Sequence, residues 1–179
     1  VVVATALLLE RLARRLGLST AGARVAGAAY VAGVSTGPAK DMLAALAHPQ
    51  GMVGTDAIPC PPGQGRPHPR GYGAFPRILG RYVRDQRALA LAEAIRKMTS
   101  LPAQKFGLKE RGLVQEGQFA DLVVFDPGQI IDRATYEDPR QHPEGIKAVV
   151  VNGSTAVLDG RITSRRSGRF LTPSSSASA

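Results

Sequence analysis

Residues 4–16 set Leu8, Leu12 and Leu16 on one face at helical spacing, with Thr5, Leu9 and Ala13 beside them and Arg11, Arg14 and Arg15 turned away. That pattern predicts an amphipathic helix closed by Gly17. Arg24–Val34 is a short, alanine-rich apolar run of strand length. Ser35-Thr36-Gly37-Pro38 then supplies a turn, a cap and a first-turn proline for a helix from about Pro38 to Ala47. Met52–Asp56 reads as a second short strand with a carboxylate at its C-terminal end. Strand, helix, strand in that order predicts a parallel βαβ unit with a right-handed crossover.

Residues 57–76 are crowded with proline and glycine and predict a long ordered loop. Loops that follow strands in α/β proteins tend to carry function. A helix is expected from Arg77 to Lys97, with Leu79, Tyr82, Val83, Leu89, Leu91, Ala94 and Ile95 on its buried side and a kink at Gly80. After residue 100 the character changes. Phe119–Phe125 reads as a strand ended by Asp126-Pro127-Gly128, and Lys147–Val151 as another. Asn152-Gly153 is a strong hairpin signal leading into Thr155–Leu158, and Asp159-Gly160 offers a further tight turn. A small β unit therefore follows an α/β unit. The Ser/Ala tail from Pro173 to Ala179 is expected to be disordered.

Composition narrows the class. The chain of 179 residues is 44% hydrophobic, which excludes wholesale disorder. A complete (β/α)₈ barrel with an accessory domain does not fit, since the barrel alone takes roughly 250 residues. One cysteine, Cys60, excludes an internal disulfide framework. Val1–Leu9 is apolar apart from Thr5 but stops at Glu10, far short of the roughly 18 residues of a membrane span. It also lacks the basic flank of a signal peptide. A soluble, cytoplasmic protein is the expectation. Because the first residue is Val, we expect the chain to be a piece of a longer polypeptide.

The net charge of +9 raises nucleic acid as a partner. Its main clusters, Arg66–Arg87 and Arg161–Arg169, are separate, and no nucleic-acid-binding module accompanies them. A solvated basic surface explains them better, so no nucleic-acid partner is expected.

Three constellations could carry chemistry. Gly33-Val34-Ser35-Thr36-Gly37 fits G-x-S-x-G between a strand and a helix, with Asp56 and His142 following in Ser-Asp-His order. No oxyanion loop is identifiable, and a capped helix start explains the motif more simply. A zinc site fares no better. His48, His68 and His142 make no H-x-H or H-E-x-x-H, and Cys60 with His68 could supply only part of a site. The third is Asp56, followed in the next loop by Arg66, His68, Arg70, Tyr72 and Arg77. A lone strand-end carboxylate is usually structural, but this many polar partners make a pocket as good a reading.

Three segments together resemble the C-terminal portion of the N-acyl-D-amino-acid deacylase (D-aminoacylase) branch of the metal-dependent amidohydrolases. They are LAHPQGMVGTDA (46–57), GRPHPRGYGAFPRILGRYVR (65–84) and AIRKMTSLPAQKFGLKERGLVQEGQFADLVVFDP (94–127). The last type is shared across amidohydrolases, whereas the stretch His68–Arg77 is more particular to the D-aminoacylase branch. The resemblance implies an α/β fold: the C-terminal strands and helices of a TIM-type (β/α)₈ barrel over residues 1–110, with 1–26 unassigned. A β-sandwich segment over 111–171 and a tail at 172–179 would follow.

It also implies metal-dependent hydrolysis of the amide bond of N-acyl-D-amino acids, giving a carboxylate and a D-amino acid. Zinc would be the cofactor, held by histidines and a cysteine upstream of Val1, so no residue of this chain is expected to ligate metal. The chain by itself is then expected to be inactive. Asp56 matches the family's aspartate at the end of the eighth strand and would shuttle the proton. The small-molecule substrate carries a carboxylate, for which His68, Arg70 and Arg77 are the expected partners, with Tyr72 as a donor. The alternatives are another amidohydrolase activity, such as dihydroorotase- or hydantoinase-like ring opening, and a non-enzymatic basic binding module.

Overall fold

A computed structural model describes residues 39–171, except 59 and 62. The helix expected at 4–16, the strand at 24–34, Ser35 and the tail lie outside the described residues. Within them, α1 spans Ala39–Ala47 and α2 spans Arg70–Arg77, which runs directly into a π-helical segment, Ile78–Asp85. Next come α3 (Leu91–Met98) and α4 (Ser100–Lys105). A four-stranded antiparallel sheet follows, β1 (Leu122–Phe125), β2 (Ile146–Val151), β3 (Ser154–Leu158) and β4 (Arg161–Ile162), in sequential order.

The β unit agrees with the sequence reading to within a few residues. Asn152 (φ 46°) and Gly153 (φ 78°) form the tight turn, and Val151 pairs with Ser154 across it. Asp159 (φ 46°) and Gly160 (φ 74°) repeat the device between β3 and β4. The strand expected at Phe119 begins only at Leu122, because the Asp121 amide turns back onto Phe119 O.

Three helical-region expectations are corrected. Residues 52–56 carry no strand ladder. A parallel strand exists only beside a neighbour, and the one expected lies outside the described residues. Instead the Val53 amide donates to Lys97 O at 3.2 Å. The loop expected over 57–76 ends early, since α2 begins at Arg70 despite Gly71, Gly73 and Pro76. Tertiary contact overrides their poor helix propensity: Gly73 and Pro76 are buried, and a Cβ on Gly73 would stand 2.9 Å from Asp132 Cβ. The single helix expected over 77–97 is divided. Pro76 lacks the N–H of the i→i−4 ladder, and the segment behind it winds as π-helix until Arg87, at φ 51°, ends the run.

Leu79, Ala94 and Ile130 form the buried centre of the core, and Val83, Ile95, Met98, Phe125 and Ile146 pack around them. Helices and sheet therefore share one apolar cluster. Gly80 is the contact point, since a Cβ there would lie 2.4 Å from Ile130 O and 2.8 Å from Ile131 Cδ1. Its role is close approach, where the sequence had suggested a kink. On the same segment Arg84 Nη1 donates to Ile130 O at 2.7 Å and Gly128 O at 3.2 Å.

Lys97 is the most unusual interior residue. Its side chain is 0% exposed, and Nζ donates to His48 O and to Gly51 O, with Glu93 Oε1 at 3.5 Å. A buried ammonium is costly unless every proton finds a partner, and these three acceptors meet that demand. The bonds tie the turn after α1 to α3 and fix where residues 52–56 leave it.

Gly80→Ala should lower stability by about 1–3 kcal/mol in denaturant unfolding, because backbone on the facing segment cannot yield. Gly54→Ala, where an added Cβ meets nothing within 4 Å, should stay within about 0.5 kcal/mol. Equal effects would show that Gly80 is not the point of closest packing.

Candidate functional site

Lys97 delivers residues 52–56 to the start of α2, and there Asp56 adopts φ 47°, a left-handed conformation tolerated by Asp better than by most side chains. Arg70 grips it twice. Nη2 lies 3.1 Å from Asp56 Oδ2, and Nε donates to Asp56 O at 3.1 Å. One guanidinium thus fixes both the carboxylate and the strained peptide that carries it. The Asp56 side chain is 31% exposed, so the carboxylate stays accessible.

Arg70 is also the first residue of α2, and its amide donates to His68 Nδ1 at 3.1 Å. The His68 Nε2 lies 3.1 Å from the Tyr136 hydroxyl, with the rings edge to face at 5.0 Å. Further along the helix, Arg77 Nη1 donates to Asp132 Oδ2 at 2.9 Å, and the Asp132 side chain is only 8% exposed. Tyr72 meets the His142 ring edge to face at 6.5 Å. Arg140 reaches back to the preceding loop, donating to Gln64 O at 2.8 Å and Gly65 O at 3.2 Å. Residues 132–142 therefore form a strap across α2 and its approach.

Between strap, α2 and residues 52–55 lies a cavity of about 550 Å³, lined among others by Thr55, His68, Arg70, Arg77, Asp132 and Tyr136. Of the five residues singled out in the sequence, His68, Arg70 and Arg77 line it. Asp56 stands beside it through Arg70, and Tyr72 faces His142. Both arginines are already bound to carboxylates, so each is a brace as well as a cation. Asp132 and Tyr136 were missed because they lie some 60 residues downstream of their partners, in a polar stretch without periodicity. His142 packs on Tyr72, and Ser35 lies outside the described residues, so nothing here assembles the Ser-Asp-His reading.

The described residues do not fit a metal centre. No group of three His, Cys, Asp or Glu among them could hold an ion. Asp56 faces a guanidinium, which disfavours a neighbouring cation. Cys60 Sγ donates to Gln64 O at 2.7 Å and takes a contact from Arg140 at 3.5 Å.

Burial, and then the Arg70 charge, push the His68 pKa below its ordinary 6.5, against a smaller opposing pull from Asp56. The amide bond into Nδ1 requires a lone pair there, which agrees with a neutral ring.

The chain is a mixed helix-and-sheet structure with an accessible aspartate clamped beside a cavity that holds two arginines. Comparison with known proteins makes the class definite. The profile of the amidohydrolase family matches residues 10–157, and this chain belongs to that family. The D-aminoacylase of Alcaligenes xylosoxydans xylosoxydans is 45% identical over 131 residues, 73% of this chain and 26% of that protein. The crystal structure of D-aminoacylase superposes with TM-score 0.71 at 46% identity, covering 75% of this chain and 28% of that one. The N-acyl-D-glutamate deacylase of Bordetella bronchiseptica, solved with zinc and a phosphonate mimic of the tetrahedral intermediate, gives 0.63 at 44% identity over 70% of this chain and 27% of that one. The chain thus spans about a quarter of the length of these relatives. Among the described residues, no helix is long and apolar enough to cross a membrane.

Titration of His68 by NMR should give a pKa below 6.5 with the proton on Nε2. A folded-state pKa below the unfolded value means the stability this ring confers is full above about pH 6.5 and is lost as pH falls through the folded value. A His68 pKa above 6.5 would contradict the bonding assigned to its ring.

Proposed function

We propose that this chain is part of a zinc-dependent enzyme that hydrolyses the amide bond of N-acyl-D-amino acids to a carboxylate and a D-amino acid. The observation that carries the reading is Asp56, held by Arg70 beside a cavity with two arginines. The likeness to D-aminoacylase and N-acyl-D-glutamate deacylase supports it. Zinc is proposed from the deacylase solved with it; among the described residues no group of three His, Cys, Asp or Glu could hold it.

The chemistry assigned to this chain is proton transfer and substrate binding. Arg70 engages Asp56 Oδ2, which leaves Oδ1 to accept a proton from the water attacking the amide carbonyl. Collapse of the tetrahedral intermediate breaks the C–N bond, and the same oxygen returns the proton to the departing amine. Arg70 and Arg77 at the cavity wall are the proposed partners of the substrate carboxylate. His68 lines the same wall with both ring nitrogens engaged, and Tyr72 packs on His142 outside the lining, so neither is proposed as a direct partner.

The test is a substrate panel on the purified active protein: N-acetyl-D-amino acids, their L-enantiomers, the corresponding D-amides, dihydroorotate and hydantoins. Hydrolysis of the N-acetyl-D-amino acids, and not of their L-enantiomers, dihydroorotate or hydantoins, is expected. Replacing the free acid by its amide should raise KM about ten- to a hundredfold, as loss of a charge-assisted contact does. Ring opening of dihydroorotate or hydantoins without deacylation would overturn the proposal.

A further inference from the structure

The hydrogen bonds around His68 determine what Tyr136 can do. The Arg70 amide donates to Nδ1, so that nitrogen carries the lone pair and the neutral ring carries its proton on Nε2. Nε2–H therefore donates to the Tyr136 hydroxyl oxygen at 3.1 Å. The hydroxyl receives one bond and keeps its own proton, for which no acceptor is present among the described residues. Accepting a bond strengthens a hydroxyl as a donor. Tyr136 lines the cavity and is 64% exposed, so this donor is open to a ligand. Arg70 and Arg77, the cations of the same wall, are each already paired with an aspartate.

We propose that Tyr136 is a further substrate-binding residue, whose hydroxyl, oriented by neutral His68, donates a hydrogen bond to the carboxylate of an N-acyl-D-amino acid in this cavity. The strap that carries Tyr136 is anchored on both sides. Asp132 binds Arg77, and Arg140 holds the 61–65 loop. The donor therefore sits on a fixed element. His68 is a positioning residue in this arrangement, acting on substrate through Tyr136. The assignment rests on the proposed deacylase reading for its ligand.

The test compares Tyr136→Phe, His68→Ala and the double variant in the active protein with N-acetyl-D-alanine. Tyr136→Phe keeps the ring contact and removes only the hydroxyl. It should raise KM about tenfold or more, leave kcat within about twofold, and leave the melting temperature unchanged because the residue is exposed. Once His68 is alanine, adding Tyr136→Phe should raise KM by less than about threefold, since the hydroxyl has already lost its orientation. A merely structural tyrosine would change stability and not give this coupling. An unchanged KM in Tyr136→Phe, or strictly multiplicative effects, would overturn the assignment. If the wild-type protein turns over no acyl-D-amino acid, calorimetric binding of N-acetyl-D-alanine decides. Weaker binding by Tyr136→Phe then upholds the donor while the deacylase reading falls. Equal binding, or none by either protein, removes both.

Discussion

Everything at the candidate site depends on a buried ammonium group. Lys97, fully enclosed, binds the backbone carbonyls of His48 and Gly51 and receives the Val53 amide on its own carbonyl. Removing it would leave the Gly51 carbonyl without its partner in a closed interior, which costs about 1–3 kcal/mol, while the His48 carbonyl would keep the Gly51 amide. The reward for this arrangement is positional. Residues 52–56 carry no sheet ladder among the described residues, so the Lys97 tie and the Arg70 clamp on Asp56 are what hold that aspartate.

The second constraint is the strap. Asp132, Tyr136, Arg140 and His142 each contact a residue of α2 or of the loop before it. These contacts turn a glycine- and proline-bearing stretch into a helix whose polar side faces a cavity. The glycines are where the two segments come closest, Gly73 against Asp132 and Gly80 against Ile130. A chain with ordinary side chains at these two positions could not bring Arg77 to Asp132 or seal the shared core.

The β unit was legible because its signals are local: Asn152-Gly153 and Asp159-Gly160 encode their turns in two residues each. Helix α1 was legible for the same reason, since Ser35-Thr36-Gly37-Pro38 is a local helix-start signal in the sequence. The helical centre was not. Apolar spacing from Leu79 to Ile95 suits one helix, but Pro76 and the left-handed Arg87 redirect the backbone without disturbing that spacing. The start of α2 was hidden because Gly71, Gly73 and Pro76 disfavour a helix unless a partner 55 or more residues away packs on it. At the site, His68, Arg70 and Arg77 could be picked from one loop by charge and order. Asp132 and Tyr136 could not, since nothing in a polar stretch reports which distant arginine or histidine it will meet.

The account turns on whether Asp56 is a chemical group or a structural one. Its grip by Arg70 fits both roles, and only kinetics separates them. Asparagine keeps nearly the same volume and can still accept from Arg70, yet takes up no proton at neutral pH. In the active protein, kcat of Asp56→Asn toward an N-acyl-D-amino acid should fall by about 10²–10⁴-fold, with KM and melting temperature little changed. A folded Asp56→Asn protein with near wild-type kcat would contradict the account.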